Sequence, residues 1–443
     1  MTDYHLPHTF LLIFNSSYVC HSYHKIYSKN TMLVHIIREY NINKTLLSRF
    51  GLWPFQNKFV RYLLPISLFV LEISGIQLEI IFLCDDWKDT ELIFESFFIT
   101  IAMIMFIMKL CNEFWNYNKV RHLYEIMENH WNIFTKESEM RILKNYSGLS
   151  RKLIIIYTLL VFLAIFSYVT IPLKPLLFDI IWPLNESRPR KFPMPIKKIT
   201  DLDKYYVPIY CYLTTTLLLG VGVFCAVDSV YITRILHACS LFSIVNQQIE
   251  MISKPDINMK TSNNCKCCIN TNDSKYCMKI DTYKSTSEEV TYKEYIICLK
   301  KYQIAREFVS LLNSMYYVGT FFLLLLNILI FSLSIIRLVY ELEKIVNAIS
   351  HIVIITAILM HLLVICYSGQ IIMDHSQKVF YRIYAVEWYA LSWRFKSLML
   401  ITLRKSFTPC GLKTAIFSLS LETYAAMVKA GVSYFMTFLS FKD

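Results

Sequence analysis

Two long stretches without a charged residue limit the folds available to this chain. Phe308–Ile336 and Ile345–Met373 each run for 29 residues without Asp, Glu, Lys or Arg. About 20 apolar residues are enough for a helix to cross the hydrocarbon core of a bilayer. Over all 443 residues, 55% are hydrophobic and only 18% are charged, which is too apolar for an ordinary soluble protein. The sequence therefore predicts an all-α integral membrane protein.

Five further segments are long and apolar enough to cross the membrane. Backbone groups in lipid must be paired within the span, so each segment is predicted to be a helix. Segment 112–152 and the continuation of the fourth span through Ile249 keep helical spacing, which indicates helices that project beyond the bilayer. In chain order the seven predicted spans are Tyr62–Cys84, Leu92–Cys111, Leu153–Leu173, Tyr205–Val227, Phe308–Ile336, Ile345–Met373 and a last one within Lys413–Phe441.

The last predicted span carries a polar stripe. Glu422 and Lys429 are seven residues apart, which places them on one face of a helix. Ser433, Thr437 and Ser440 continue this face at helical spacing. An ionised side chain within a span avoids lipid and faces protein or water. The stripe therefore indicates a helix side that lines an aqueous path, or else a charged helix end buried against neighbouring helices.

The distribution of basic residues predicts the orientation of the chain. With a cytoplasmic N-terminus, the segments inside carry 31 Lys or Arg and those outside carry 11. Because basic residues concentrate on the cytoplasmic side, we expect the N-terminus inside and the C-terminus outside. Asn185 then lies in an extracellular loop and is the predicted glycosylation site. The other sequons become cytoplasmic; they begin at Asn15, Asn43, Asn145 and Asn272.

Several classes of function are not favoured by the sequence. The net charge of +12 lies in loops beside the spans, where cytoplasmic basic residues explain it better than a nucleic-acid partner. Cys265, Cys267, Cys268 and Cys277 lack paired CxxC spacing and a nearby histidine, so no metal and no cofactor is expected. No phosphate-binding loop or HExxH motif indicates an enzyme. Internal repeats that would indicate a transporter are not evident.

Four stretches of the sequence, in their order along the chain, resemble insect odorant receptors, especially those of ants, bees and wasps. The C-terminal stretch EWYALSWRFKSLMLITLRKSFTPCGLKTAIFSLSLETYAAMVKAGVSYFMTF carries the E-W-Y, P-C, S-L-E and S-Y-F elements of that family's signature. Earlier matches are LLSRFGLWPFQ, ILHACSLFSIVNQQIE and KYQIAREFVSLLNSMY. The resemblance covers most of the chain from about Met32, and residues 254–290 are its main departure.

The resemblance implies a function and a division of the chain. Members of this family are non-selective cation channels opened by volatile or contact chemicals, in which a tuning subunit joins a shared co-receptor in a tetramer in the plasma membrane of sensory neurons. The expected partners are thus a co-receptor, small hydrophobic ligands and membrane lipids. The regions implied are a cytoplasmic segment (1–61), six spans with the ligand-binding bundle (62–373), a cytoplasmic amphipathic anchor helix (374–411) and a pore-lining seventh span (412–443).

The same resemblance assigns candidate pore and ligand residues. Thr437 falls at the gate position of the last helix, and Phe441 lies one turn further out. Ser440 replaces a co-receptor glutamine, which implies a tuning subunit. Ser433 is the fourth residue of the expected pore lining. The ligand cavity is expected in the outer half of the bundle, among spans two, three, four and six. Its predicted lining residues are Phe97, Phe98, Phe166, Tyr168, Tyr206, Tyr210, His351 and Ile355.

Two alternative functions share the seven-span pattern. A gustatory receptor channel is the nearest relative, but its usual closing pattern is only partly matched by Ser433-Tyr434 and Ser440-Phe441. A receptor acting through a G protein requires the opposite orientation, with an extracellular N-terminus. Glycosylation at Asn15 and not at Asn185 would support that second alternative.

Overall fold

A computed structural model describes residues 33–85, 90–181, 192–195, 202–253, 275–340 and 345–442. The predicted glycosylation site Asn185 lies outside the described residues, as do Cys265, Cys267 and Cys268. The described part contains no β-strand, only an isolated antiparallel bridge between Lys413 and Ser418. The expected all-α class is confirmed for these residues.

The described residues form twelve α-helices, two of which are short lead-in helices at the N-terminal end. Single 3-10 turns lie at Ile171–Leu173 and Trp388–Ala390. In chain order the helices are α1 (Val34–Glu39), α2 (Asn41–Arg49), α3 (Lys58–Asp85), α4 (Thr90–Trp115), α5 (Tyr117–Ile133), α6 (Glu137–Thr170), α7 (Lys174–Ile181), α8 (Leu202–Ser253), α9 (Lys275–Tyr340), α10 (Ile345–Tyr384), α11 (Trp393–Ser406) and α12 (Leu421–Lys442).

Six of these helices are long and apolar enough to cross a membrane, and they coincide with the first six predicted spans. They are α3, α4, α6, α8, α9 and α10. Glu72 and Glu79 of the first span are both buried, so their carboxylates face protein as the sequence predicts. The predicted extension of the fourth span is also present, because α8 continues without a break to Ser253.

The seventh predicted span is a helix, but it starts eight residues later than the apolar run does. Lys413–Ser420 forms a tight turn in which Leu419 N–H donates to the Leu412 carbonyl at 3.0 Å. Ser420 then accepts the Thr423 backbone N–H at 3.2 Å, which satisfies one of the free donors at the start of α12. The remaining 22 residues extend about 33 Å, enough for one crossing.

Segment 374–411 does not form a single helix. It contains the end of α10, the turn at Trp388–Ala390 and the separate helix α11. The chain turns back between α10 and α11 because the apolar side of α11 is buried, with the Phe395 ring 5.0 Å from the Tyr295 ring of α9. The role of this segment as an anchor stays a prediction.

The N-terminal helices are fixed by polar contacts to α5. The Glu128 carboxylate accepts the backbone N–H groups of His35 at 3.1 Å and Ile36 at 2.9 Å, which satisfies free donors at the start of α1. After α2, Gly51 takes a φ of 74°, a conformation that favours glycine. This turn lets Trp53 pack 4.9 Å from the ring of Tyr124.

Candidate functional site

An apolar cavity lies between α4, α6, α8, α9 and α10. Its volume is about 140 Å³. The wall on α4 is built by Phe98, Ile99, Ala102, Met105 and Phe106, whose spacing places them on one helical face. The same spacing brings a second set of residues from α6 to the opposite wall; they are Val161, Ala164, Ile165 and Tyr168.

A buried polar cluster closes one end of the cavity. We call it the polar floor, and it takes one residue from each of the five helices: Lys109, Tyr157, Asp228, Asn327 and His361. Lys109 pairs with the Asp228 carboxylate and lies 2.8 Å from Nε2 of His361. Tyr157 donates its hydroxyl to Asp228 at 2.5 Å. Because Asn327 and His361 also line the cavity, the polar floor is part of its wall.

An ion pair between α4 and α9 lies next to two cavity-lining residues, Phe98 and Tyr168. Arg337 donates to Glu95 at 3.0 Å, and the Tyr168 hydroxyl donates to the same carboxylate oxygen at 3.3 Å. The Arg337 guanidinium also lies 5.5 Å from the centre of the Phe98 ring. Opposite charges at the two ends of α4, Glu95 and Lys109, thus flank the apolar space between them.

Two of the eight predicted ligand residues line this cavity. Phe98 and Tyr168 do, and their rings lie 6.4 Å apart. Phe97 is 40% exposed and Phe166 is 66% exposed. Phe97 is one residue from Phe98, and Phe166 is two residues from Tyr168, so their side chains point about 100° and 200° around the helix from the cavity-lining ones. These exposed helix faces are the ones that contact lipid in a membrane protein.

The other predicted ligand residues lie outside the cavity. Tyr206 and Tyr210 are buried in a separate cluster with Val169, whose carbonyl accepts the Tyr210 hydroxyl at 2.7 Å. His351 is buried near the start of α10, and Ile355 is half-buried beside Ile354, which does line the cavity.

The polar floor was not predicted from the sequence, although two of its members are titratable residues within predicted spans. His361 lies in the same charge-free stretch as His351, and Lys109 lies within the second predicted span. A titratable residue at such a depth usually has a polar partner and a role in function. That rule identifies Lys109 and His361 as candidates, but it cannot identify their partners on other helices.

The last helix, α12, packs against α9 and α10 by one face only. Its buried face includes Met427 and Gly431, and Gly431 lies directly against the Phe331 ring of α9. The polar stripe is exposed on the single chain; it comprises Glu422, Lys429, Ser433, Thr437 and Ser440. Glu422 and Lys429 are therefore not buried against helices of their own chain. Phe441 lies in the last turn of α12.

Comparisons with known proteins agree on the class of protein that this chain resembles. A family model described as 7tm Odorant receptor matches residues 89–432. No curated protein sequence matches significantly. Two solved structures of the insect olfactory receptor OR5 from Machilis hrabei are similar at 12% identity, over 92% of this chain and 99% of that chain. The TM-score is 0.66 for the complex with eugenol and 0.68 for the other structure. At this identity the likeness shows the fold alone.

Proposed function

The chain belongs to the 7tm odorant receptor family, whose model matches residues 89–432, and on this premise we propose that it is a subunit of a cation channel opened by small apolar molecules. The observation that supports this most directly is the cavity of about 140 Å³. An apolar protein cavity of about 150 Å³ takes up benzene. The space therefore suits one small volatile molecule.

The affinity for such a ligand comes from burial of its surface. Apolar surface removed from water contributes about 25 cal/mol per Å², and the cavity is lined almost entirely by apolar side chains from five helices. The related receptor from Machilis hrabei is solved in complex with eugenol, a small aromatic molecule. This supports a small-molecule ligand for the present chain.

Opening follows if the ligand favours one arrangement of the helices over another. A ligand shifts a conformational equilibrium only by its difference in affinity for the two states. Asn327 and His361, which line the cavity, belong to α9 and α10, and both helices pack against α12. A ligand that fits better when α9 and α10 move apart would displace α12. The polar stripe of α12, which includes Thr437, would then line the conducting path.

The proposed assembly is a tetramer with a shared co-receptor in the plasma membrane. The N-terminus is inside and the C-terminus outside, so that a glycan at Asn185 would be extracellular. The exposed stripe on α12 supports this assembly, because polar and charged side chains in a span favour protein or water over lipid. The matched family is one of odorant receptors, which favours this function over a gustatory one and over an enzyme.

A pair of α6 variants tests the proposed ligand site. Ala164 is 6% exposed and lines the cavity, whereas its neighbour Leu163 is 59% exposed. Ala164→Phe fills the cavity, so we expect it to abolish ligand-evoked currents in cells that also express a co-receptor. Leu163→Phe adds similar bulk on the outer face, and we expect it to leave the currents unchanged.

Surface labelling of both variants separates loss of response from loss of expression, because an overfilled core costs about 1–3 kcal/mol. Ligand-evoked currents that persist in a well-expressed Ala164→Phe channel would contradict the proposed site. An extracellular N-terminal tag in intact cells would contradict the proposed orientation and favour a receptor coupled to a G protein.

A further inference from the structure

We infer that the cavity selects hydrocarbons over molecules of the same shape that carry a hydroxyl or carbonyl group. This inference rests on the proposed function, in that it takes the cavity to be the ligand site. The selectivity depends on which groups in the cavity wall remain able to form a hydrogen bond.

Three side chains in the cavity wall carry polar atoms that could meet a ligand, and each is engaged elsewhere. Tyr168 donates its hydroxyl to Glu95 at 3.3 Å. His361 is engaged at both ring nitrogens, with Nδ1 2.9 Å from Oδ1 of Asn327 and Nε2 2.8 Å from the Lys109 ammonium group. Asn327 also donates from Nδ2 to the Leu323 carbonyl at 2.6 Å.

The nearest charge is covered by an aromatic ring. Phe224 lines the cavity, and its ring centre lies 3.4 Å from the Lys109 ammonium nitrogen. Lys109 itself does not line the cavity; it lines a second, smaller cavity of about 30 Å³. A ligand in the larger cavity therefore meets the face of Phe224 and not the ammonium group.

These contacts make the cavity wall behave like a hydrocarbon solvent. A hydroxyl or carbonyl group that enters loses its hydrogen bonds to water and meets no polar side chain in the wall that is not already bonded to a protein group. Octanol can hydrogen-bond to such a group, whereas an alkane cannot, and polar solutes are penalised more strongly in the alkane. The preference for hydrocarbons should therefore exceed the preference that octanol–water partition alone predicts.

Three probes of equal size provide the test: ethylbenzene, benzyl alcohol and benzaldehyde, each with eight non-hydrogen atoms. Their dissociation constants are measured on the purified full-length chain assembled with its co-receptor, and each is multiplied by the probe's octanol–water partition ratio, which removes the part of the affinity that partition alone explains. After this correction we expect ethylbenzene to bind at least about tenfold more tightly than either oxygenated probe. Currents recorded with the same probes should follow the same order.

Two substitutions of similar size at Ala164 show whether the lack of a hydrogen-bonding group is the cause. Ala164→Ser places a hydroxyl in the wall, and a helical serine that donates to its own backbone can still accept a hydrogen bond. We expect it to lower the ratio of the corrected dissociation constants of benzyl alcohol and ethylbenzene by about tenfold. Ala164→Cys adds a thiol, a group of similar size that forms only weak hydrogen bonds. The ratio of the two corrected dissociation constants should therefore stay near that of the wild type.

Equal or tighter corrected binding of benzyl alcohol or benzaldehyde to the wild-type chain would overturn the inference. Preference for benzaldehyde would show that Asn327 turns its second amide hydrogen to the ligand. Equal effects of the serine and cysteine variants would also overturn it. Binding in the expected order without any current supports the inference and contradicts the proposed channel function, so the two can fail separately.

Discussion

The ammonium group of Lys109 lies 2.8 Å from Nε2 of His361, on a different helix in the middle of the bundle. An ammonium group can only donate, so Nε2 must accept and the histidine proton must lie on Nδ1. That N–H group donates a hydrogen bond to Oδ1 of Asn327 at 2.9 Å. The neutral tautomer of His361 thus connects α4 to α10 and α10 to α9.

The ion pair of the polar floor should be costly to break from one side. The side chains of Lys109 and Asp228 are only 3% and 5% exposed. Lys109→Met leaves a buried carboxylate without its partner, and we expect it to lower the free energy of unfolding by about 3–5 kcal/mol. Adding Asp228→Asn removes that charge while keeping an acceptor for Tyr157, so the double variant should recover most of the loss.

Thermal stability of the detergent-solubilised variants, followed by size-exclusion chromatography, measures this effect. Lys293→Met is the matched control, because Lys293 forms an exposed pair with Glu289 at 3.2 Å. Exposed pairs of this spacing contribute little, about 0.5 kcal/mol or less. A double variant as unstable as Lys109→Met alone would show that the charge pair is not the cause.

The sequence predicted the positions of the helices better than it predicted which side chains of different helices are in contact. Apolar composition and length were enough to find six spans, although the first two contain charged residues, because the bilayer sets the length of each helix. The stripe on α12 was visible because Glu422 and Lys429 contrast with an apolar helix. Within the sixth span, by contrast, apolar residues surround the helix on all sides, and no periodicity separates the inward side from the lipid side. The sequence therefore predicted His351 as a ligand residue, whereas the histidine that lines the cavity is His361.

Breaks within the chain were equally hard to predict. The start of α12 at Leu421 and the turn between Tyr384 and Trp393 depend on tertiary contacts. One is the bond from Cys410 N–H to Ser376 Oγ at 3.0 Å, and another is the packing of Phe395 on Tyr295. Such contacts join residues that are far apart in sequence, and a local pattern does not reveal them.

Gly369 should be essential for docking the segment that leads into α12. A Cβ at this position would collide with the Leu419 carbonyl oxygen, which is backbone and cannot rotate away. Gly369→Ala should therefore destabilise this contact by about 1–3 kcal/mol and weaken channel opening or assembly. Native gel electrophoresis and current recording would detect these changes.

Gly148 provides the control for this substitution. It lies within α6, and the only neighbour of an added Cβ is the Arg151 side chain at 3.9 Å. Alanine is favoured over glycine within a helix by about 1 kcal/mol, so Gly148→Ala should be neutral or stabilising. If the two alanine variants behave alike, close backbone approach at Gly369 is not needed.

The buried His130 should make stability depend on pH. Its Nδ1 lies 3.0 Å from Nε2 of His237, and burial lowers the pKa of His130 from 6.5 to about 3. Between these two values the unfolded chain binds one proton more than the folded chain, so stability falls as pH falls. From pH 7.5 to 5.5 the loss from this residue is about 1.4 kcal/mol.

Thermal unfolding of the solubilised protein at the two pH values measures this dependence. His130→Gln removes the titrating group, so its stability should change less between pH 7.5 and 5.5 than that of the wild type. His122, which is exposed on the same helix, gives the control variant His122→Gln. An unchanged pH dependence in His130→Gln would assign the effect to other groups.

The exposed stripe of α12 predicts where ions pass. Thr437 is exposed, and its hydroxyl donates to the Ser433 carbonyl at 3.0 Å, so its loss leaves the buried face of α12 untouched. Thr437→Leu places an apolar side chain on the side proposed to be wet, and apolar constrictions in pores exclude water and ions. We expect a smaller single-channel current and altered ion selectivity, with normal assembly.

Val432 supplies the control on the same helix. It is 43% exposed, and its position five residues before Thr437 places it about 140° around the helix from Thr437. Val432→Leu changes an apolar residue outside the stripe, so currents should remain as in the wild type. Wild-type currents in Thr437→Leu, recorded with a co-receptor, would remove Thr437 from the pore. A reduced current in Val432→Leu but not in Thr437→Leu would place the conducting face of α12 on its other side.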